Sequence, residues 1–283
     1  MKSYKVAVAS GKGGTGKTTV AVSLILALEG LPGQTQFIDC DVEEPDAALF
    51  LKPAIEATCD VTVPIPVIDP ERCTSCGKCA ELCQYNALAM ISGKVLSFKS
   101  LCHSCGGCTY ICPAQAIKEE PRKVGVVERG SIGNVEFMSG RLDVGEPRAV
   151  PLIRNLKSMV KPGTMTIFDS PPGTACTVVE TVKDCDYCLL VTEPTPFGLY
   201  DLDLMVQVLE VLGVPSGIVI NRDDGSTRII DDYASGKGIP VLLRIPLRRE
   251  FAEPLSRGIP LVEADESYKQ KFLDLAEKVE SSI

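Results

Sequence analysis

A glycine-rich loop near the start of the chain constrains the fold most strongly. Residues 11–18 read G-K-G-G-T-G-K-T and match the pattern G-x-x-x-x-G-K-[ST]. In that pattern glycines let backbone N–H groups turn around a phosphate, the lysine reaches the β- and γ-phosphates, and the hydroxyl binds Mg²⁺. A strand predicted over 4–9 precedes the loop, and a helix predicted over 17–28, with its stop at Gly30 and Pro32, follows it. The loop predicts a site for ATP and Mg²⁺ built from Gly11, Lys12, Gly13, Gly14, Thr15, Gly16, Lys17, Thr18 and Thr19.

The rest of the chain alternates apolar runs with amphipathic segments, which is typical of a parallel sheet covered by helices on both faces. We therefore predict an α/β fold with a mainly parallel sheet. Two stretches lack this pattern, because residues 53–70 contain four prolines and residues 125–145 are rich in glycine. Further strands are predicted over 36–38, 164–168, 186–191, 217–220 and 241–245, and further helices over 151–160, 174–183, 199–212 and 267–283.

Composition excludes several classes of protein. The 283 residues are 45% hydrophobic and 23% charged, which is ordinary for a globular protein. A formal net charge of −8 argues against a nucleic-acid partner, and a single histidine, His103, excludes any site that needs two imidazoles. The sequence has no apolar run of the roughly 18 residues that a membrane span needs, and its start does not resemble a secretion signal. We therefore expect a cytoplasmic protein without membrane insertion.

Thirteen cysteines are the second unusual feature, and eight of them form two identical runs. The spacing C-x2-C-x2-C-x3-C occurs from Cys73 to Cys83 and again from Cys102 to Cys112. In a reducing compartment such spacing indicates cluster or metal ligation rather than disulfides, and bacterial [4Fe–4S] proteins use this run. Because the fourth cysteine of a run binds the other cluster, we assign crossed sets. Cluster 1 takes Cys73, Cys76, Cys79 and Cys112, and cluster 2 takes Cys102, Cys105, Cys108 and Cys83.

Two zinc sites of four cysteines each would use the same eight thiolates, although the duplicated spacing favours clusters. The region resembles a complete two-cluster bacterial ferredoxin. The resemblance includes the similarity between residues 85–88, Y-N-A-L, and residues 114–117, A-Q-A-I, which follow the two cysteine runs. It departs from that pattern at Gln84, where proline is usual. The remaining five cysteines are interpreted as small core residues: Cys40, Cys59, Cys176, Cys185 and Cys188.

The stretch KGGTGKT, residues 12–18, resembles the deviant Walker A loop of the MinD/Mrp/nitrogenase iron protein family of P-loop ATPases. In that family the additional lysine, here Lys12, reaches the nucleotide of the facing subunit in an ATP-bound dimer. Such a cation would stabilise phosphate charge as an arginine finger does elsewhere. The resemblance implies a homodimer with ATP and a catalytic set of Lys12, Lys17 and Asp41, in which Asp41 orients the attacking water.

The same resemblance assigns further residues at strand ends. Asp39 is expected to bind Mg²⁺ or to have a structural role. The sequence from Phe168 to Gly173 is similar to the family's D-x-P-P-G element, so Asp169 would hold a water bound to Mg²⁺, together with Thr18. Each aspartate could instead cap a helix or stabilise a turn. The positions that match the family's adenine contacts are Asn221, Arg222 and Pro246.

The whole chain thus resembles MinD-superfamily ATPases that carry an inserted ferredoxin domain. We expect the ATPase domain over 1–60 and 125–283 and a small α+β insert over 61–124. The predicted function is Mg-ATP hydrolysis coupled to electron transfer through two [4Fe–4S] clusters to a partner protein. An ATP-dependent carrier or assembly protein for iron–sulfur or metal cofactors is the alternative. A MinD-like positioning ATPase is less favoured, because residues 267–283 mix acidic and basic side chains. Two loaded clusters bring the charge to roughly −12, which predicts basic patches on a redox partner.

Overall fold

Nine strands form one sheet in the computed structural model, which describes residues 3–31 and 33–283. A further two strands form a separate small sheet. The strands are β1 (Lys5–Ala9), β2 (Thr35–Asp39), β3 (Ala54–Ile68), β4 (Leu88–Ile91), β5 (Lys94–Ser97), β6 (Ile117–Ile132), β7 (Val135–Leu142), β8 (Met165–Asp169), β9 (Tyr187–Thr192), β10 (Ser216–Asp223) and β11 (Val241–Pro246).

The large sheet has the order β11-β10-β9-β1-β8-β2-β7-β6-β3. All pairings from β11 to β7 are parallel, and only β7–β6 and β6–β3 are antiparallel. The prediction of a mainly parallel sheet is therefore confirmed. Because β1, β2 and β8 are central and parallel, their carboxyl ends meet at one edge, where ligands bind in open α/β sheets.

Helices cover both faces of this sheet. Alternating residues of β1 show the two cores, since Val6 and Val8 face one side while Ala7 and Ala9 face the other. Helices α1 and α9 to α11 pack on the first side, and α5 to α8 pack on the second. The helices are α1 (Lys17–Leu28), α2 (Ala47–Leu51), α3 (Lys78–Leu82), α4 (Gly107–Ile111), α5 (Val150–Ser158), α6 (Cys176–Val182), α7 (Pro196–Leu212), α8 (Ile229–Lys237), α9 (Arg249–Leu255), α10 (Leu261–Ala264) and α11 (Ser267–Ser281).

The predicted core elements agree with these bounds to within a few residues. Helix α1 begins and ends where the sequence places it, although the predicted stop at Pro32 lies outside the described residues. Helices α2, α3, α4, α8, α9 and α10 have no counterpart among the predicted helices. No helix in residues 3–31 and 33–283 is long and apolar enough to cross a bilayer.

The antiparallel edge is the largest departure from the predicted elements. The proline-rich stretch forms most of the 15-residue strand β3, and the glycine-rich stretch holds the second half of β6 together with β7. Proline is tolerated in β3 because that strand is the outer edge of the sheet. The sequence offers little sign of this, since prolines normally weaken a strand assignment.

The cysteine segment, residues 69–116, lies between β3 and β6. These strands pair from Ala54↔Ser131 to Ile68↔Ile117, with register shifts between Ile55 and Ala57 and between Val61 and Thr62. The predicted boundaries at 60/61 and 124/125 therefore fall inside β3 and β6, next to the second shift. The segment itself contains α3, the β4–β5 hairpin, a 3₁₀ turn (Lys99–Leu101) and α4.

The backbone of the cysteine segment repeats at an interval of 29 residues. Helices α3 and α4 follow this interval at both ends. Left-handed backbone recurs at matching positions, in the pairs Ser75 and Ser104, Gly77 and Gly106, and Asn86 and Gln115. The two cysteine runs therefore lie on two copies of one local structure.

Candidate functional site: a phosphate loop and two thiol-lined cavities

The glycine loop connects β1 to α1 at the carboxyl edge of the sheet. Gly14 and Gly16 have φ of +79° and +90°, which side-chain-bearing residues rarely adopt. A Cβ on Gly11 would overlap the backbone carbonyl of Asp201 in α7, whereas one on Gly13 would meet nothing within 4 Å. The loop therefore needs glycine at several positions for different reasons, and it is open on the side where phosphates would bind.

Lys17 lies at the centre of the acidic residues that follow β2 and β8. Its Nζ is 3.2 Å from Oδ1 of Asp169 and 3.5 Å from Oδ2 of Asp41. Burial by itself lowers the pKa of Lys17, but the carboxylates of Asp169 and Asp41 outweigh it and raise the pKa above its usual range. The predicted catalytic Lys17 and Asp41 are thus brought together, although they are 24 residues apart.

The two predicted Mg²⁺ carboxylates differ in their surroundings. Asp39 accepts hydrogen bonds from the backbone N–H of Asp41 (3.1 Å) and of Ala47 (3.2 Å), so it organises the loop that presents Asp41. Asp169 is fully buried, and its Oδ2 has no hydrogen-bond partner among the described residues. Burial raises the pKa of Asp169 to about 6, against the attraction of Lys17. A buried carboxylate oxygen without a donor fits a site for Mg²⁺ or its water shell.

The residues predicted to contact adenine lie beside the loop. The Nδ2 atom of Asn221 donates a hydrogen bond to the carbonyl of Thr15 at 2.7 Å, so this side chain buttresses the loop. Arg222 follows it with a left-handed φ of 53° and is half exposed. Pro246 ends β11 and pairs in register with Asp223 of β10. Their roles toward a base remain predictions.

Glu193, which the sequence analysis missed, joins two of the predicted residues. Its carboxylate lies 3.4 Å from Nζ of Lys12 and 2.6 Å from Nη1 of Arg222. It directly follows β9, so its place at the carboxyl edge of the sheet is the signal that could have identified it. The loop lysine is therefore held within its own chain in this structure.

The eight clustered cysteines line two cavities. The first has about 330 Å³ of free space, part of it open to solvent, and is lined by the thiols assigned to cluster 1: Cys73, Cys76, Cys79 and Cys112. The second has about 440 Å³ and is lined by those assigned to cluster 2, with Cys79 on the shared border: Cys102, Cys105, Cys108 and Cys83. The fourth cysteine of each run thus lies with the other run.

Backbone donors reach several of these thiols. The N–H groups of Ser104 and Ala116 donate to Sγ of Cys102 and Cys112 at 3.4 Å and 3.3 Å. The N–H of Lys78 lowers the pKa of Cys76, and burial raises that of Cys79. Four thiols around one cavity, with N–H donors to sulfur, form a donor set that fits a [4Fe–4S] cluster. In residues 3–31 and 33–283 no three His, Cys, Asp or Glu side chains converge closely enough to hold one metal ion.

Comparison with known proteins decides the family of the nucleotide site. Residues 6–261 match the model of the CobQ/CobB/MinD/ParA nucleotide-binding domain. The chain belongs to this nucleotide-binding family. An uncharacterized protein of Methanocaldococcus jannaschii is 29% identical over 281 residues, covering 99% of this chain and 97% of that protein. An iron-sulfur cluster carrier protein of Pyrococcus horikoshii is 27% identical over 305 residues, covering 99% and 86%.

Solved structures agree on the fold of this CobQ/CobB/MinD/ParA domain. The septum site-determining protein MinD of Pyrococcus horikoshii, complexed with Mg-ADP, superimposes with a TM-score of 0.61 at 20% identity. The match covers 98% of this chain and 96% of that one. The prediction of an α/β P-loop NTPase fold is therefore confirmed.

A cleft with about 1890 Å³ of free space, part of it open to solvent, separates the nucleotide edge of the family domain from the cysteine segment. Asp41, Pro171 and Cys176 line one side, and the rings of Tyr85 and His103 line the other. These two rings are stacked, with centroids 3.7 Å apart, and they also border the second thiol cavity. Asp41 and the border of the second cavity therefore share one cleft.

A chain of contacts also crosses between the two sites. The N–H of Leu142 donates to the carbonyl of Val42, next to Asp41, at 2.8 Å. Four residues beyond Leu142, the buried Glu146 pairs with Nε of Arg148 at 2.8 Å and with Nη2 of Arg122 at 2.6 Å. Arg148 in turn donates from Nη1 to the carbonyl of Cys102. The backbone that carries a cluster 2 cysteine is thus tied to the loop after β2.

Proposed function

We propose that this chain is an ATPase that couples ATP binding and hydrolysis to electron transfer through two [4Fe–4S] clusters to a partner protein. The observation that carries the proposal is the set of four thiols around each of two cavities, beside the edge of a nucleotide-binding domain. When bound, the clusters would supply one-electron carriers held entirely by cysteines of this chain. In this proposal the segment over 61–124 acts as an inserted ferredoxin-like domain.

The nucleotide half of the proposal assigns a role to each acidic or basic side chain. Lys17 and the N–H groups of the loop bind the phosphates, and Thr18 and Asp169 hold Mg²⁺ with its water. Asp39 supports this site through its bonds to the loop of Asp41. Asp41 orients the attacking water, and Lys12 stabilises phosphate charge on the facing subunit of an ATP-bound homodimer.

The coupling half rests on the contacts between Val42, Leu142, Glu146, Arg148 and Cys102. A γ-phosphate that binds Lys17 and displaces the carboxylate of Asp41 from it would move Val42 and therefore the end of β7. Because Glu146 is buried and pairs with Arg148, whose side chain is only 10% exposed, that movement reaches the carbonyl of Cys102 through direct contacts rather than through solvent. ATP would thus alter the environment of cluster 2 first.

Anaerobic EPR of the dithionite-reduced protein, with and without Mg-ATP, tests this function. We expect two [4Fe–4S] clusters per chain and a change of spectrum or midpoint potential when Mg-ATP is added. Lys12→Ala, which leaves the cysteines untouched, should still bind nucleotide. In this variant the part of the change in spectrum or midpoint potential that depends on the dimer should be absent. Iron analysis separates clusters from zinc, and a protein that binds only zinc would contradict the proposal outright.

An ATP-dependent iron–sulfur carrier is a second candidate, because several relatives bear the name iron-sulfur cluster carrier protein. The two functions differ in how firmly the clusters are held. Clusters bound by four cysteines each should remain through many rounds of ATP hydrolysis. If the iron instead moves to an apo-acceptor protein during turnover, the carrier function is correct and the electron-transfer function is wrong.

A further inference from the structure

The surface of the cysteine segment differs from the rest of the molecule in its apolar exposure. Eighteen large apolar side chains are exposed in the residues that the structure describes, and nine of them lie between Leu82 and Ile111. This stretch is about a tenth of the chain. Soluble proteins seldom leave large apolar side chains concentrated on one small region unless another molecule covers them.

The same stretch also differs in charge. No aspartate or glutamate occurs between Leu82 and Lys118, although the whole chain has a net charge of −8. The basic residues of this stretch include Lys94 and Lys99, which are exposed. Neither forms an ion pair with another described residue. Unpaired lysines on a stretch of chain that has no carboxylates of its own favour a partner that carries carboxylates.

The β4–β5 hairpin organises these side chains into one face. Its register pairs Ala89 with Leu96 and Ile91 with Lys94, and side chains alternate between the faces of a strand. Ile91, Lys94 and Leu96 therefore share a face, and Phe98 follows two residues after Leu96. Ile91, Leu96 and Phe98 are 49%, 43% and 42% exposed. We call this the outer hairpin face, defined by Ile91, Lys94, Leu96 and Phe98, with the exposed Lys99 directly after it in the 3₁₀ turn.

The opposite face of the hairpin covers the first thiol cavity. Val95 lines that cavity, and Leu88 is buried against Cys79. A single layer of two strands thus separates the outer hairpin face from the site of cluster 1. The second cavity instead borders the cleft toward Asp41, through Tyr85 and His103. The two cavities meet at Cys79, so they are arranged in sequence from the nucleotide edge to the hairpin.

We propose that the outer hairpin face is the docking site of an electron-transfer protein whose contact surface has an apolar centre and an acidic rim. The proposal rests on the electron-transfer function proposed above. It deepens that function by naming the surface through which the electron leaves the protein and the chemistry of the partner that receives it. It reverses the expectation drawn from net charge, which favoured a basic partner. Lys94 and Lys99 lie at the surface itself, whereas the negative charge of cluster 1 would lie beneath the hairpin, and charges farther away than about 10 Å are largely screened at physiological salt.

Two carriers of opposite charge test the docking site: an acidic flavodoxin and the basic protein cytochrome c. In the first reaction a reduced [4Fe–4S]⁺ cluster returns to [4Fe–4S]²⁺, and the oxidised flavin takes up the electron and a solvent proton to give the neutral semiquinone. In the second reaction the same electron reduces the ferric haem to the ferrous state. Stopped-flow absorbance of the dithionite-reduced, desalted protein follows each reaction.

We expect the second-order rate constant with flavodoxin to fall as ionic strength rises. The double variant Lys94→Glu/Lys99→Glu should lower that rate constant by about tenfold at low salt, and Ile91→Ser/Phe98→Ser should lower it at all salt concentrations. The matched control is Lys237→Glu/Lys269→Glu, which makes the same change in net charge on α8 and α11. It should leave the rate constant with flavodoxin within about twofold of wild type, because these residues lie outside the segment.

Equal effects of the two charge variants on the rate constant with flavodoxin would overturn the docking site while leaving electron transfer intact. So would a fall of the rate constant with cytochrome c in Lys94→Glu/Lys99→Glu that equals the fall with flavodoxin, because charge complementarity predicts opposite changes for the two carriers. Reduction of neither carrier by a protein with full cluster content would overturn the electron-transfer function itself, and the docking site with it. Iron content and the visible spectrum of each variant establish that its clusters are retained.

Discussion

Nζ of Lys12 lies 3.4 Å from Oε2 of Glu193, so the lysine assigned to the facing subunit is paired within its own chain. Glu193 also holds Arg222. For Lys12 to reach a second nucleotide, this ion pair must break. The pair would therefore oppose the proposed ATP-bound dimer by the free energy of one partly exposed salt bridge in each subunit.

The first prediction concerns this pair. Glu193→Gln should strengthen ATP-dependent dimerisation by up to about thirtyfold, because a homodimer breaks two such pairs and each partly exposed pair contributes at most about 1 kcal/mol. Analytical ultracentrifugation with Mg-ATP measures the dimer constant. Lys12→Ala/Glu193→Gln is the matched control, since without Lys12 the glutamine should bring no gain. Weaker dimerisation of Glu193→Gln would show that Glu193 positions Lys12 for the dimer instead of restraining it.

The second prediction separates the two carboxylates that contact Lys17. Asp41→Asn should lower kcat for ATP hydrolysis by about a hundredfold or more while Mg-ATP affinity stays near wild type, because Asp41 is assigned to the attacking water. Asp169→Asn should weaken Mg-ATP binding, because it removes a buried carboxylate assigned to the Mg²⁺ site. Calorimetric binding and steady-state hydrolysis measure the two effects. If the effects are exchanged between the variants, the roles are assigned the wrong way round.

The third prediction tests why the loop contains so many glycines. Gly11→Ala should lower the unfolding free energy of the nucleotide-free protein by about 1–3 kcal/mol, since its methyl group overlaps the carbonyl of Asp201. Gly13→Ala in the same loop meets nothing within 4 Å and should change stability by less than about 0.5 kcal/mol. Denaturant unfolding compares them. Equal stability of the two variants would contradict the close approach of the loop to α7.

The fourth prediction tests the crossed ligand sets. Cys83→Ser/Cys102→Ser removes two ligands from one cluster if the sets are crossed, so one intact [4Fe–4S] cluster per chain should remain. Cys73→Ser/Cys83→Ser then damages both clusters. The outcomes are reversed if each run binds its own cluster. Iron content and EPR of the two double variants, purified anaerobically, distinguish the arrangements.

The central elements of the fold could be predicted because local sequence determines them. Helix α1 and the parallel strands are apolar runs bounded by glycine or proline, and the glycine loop fixes the geometry between β1 and α1. The antiparallel edge could not be predicted in this way. Strand β3 carries prolines that only an edge position tolerates, and its pairing with β6 joins residues as far apart as Ala54 and Ser131.

The residues of the candidate site also divide into those that sequence motifs predict and those that only the structure identifies. The loop, the cysteine runs and the aspartates follow motifs, and the structure brings Lys17, Asp41 and Asp169 together. Glu193 and the Glu146–Arg148 pair belong to no motif, and their importance arises from distant contacts with Lys12 and with the carbonyl of Cys102. Sequence spacing carries no information about such contacts.

The most direct test of coupling is the affinity of the protein for a slowly hydrolysed Mg-ATP analogue in its oxidised and its reduced state. If ATP changes the cluster potential, linkage requires that cluster reduction change ATP affinity by the same factor. We predict a difference of about fivefold or more between the two states, measured by anaerobic calorimetry on one preparation. Equal affinities in the oxidised and the reduced protein would contradict a coupling of nucleotide binding to the clusters.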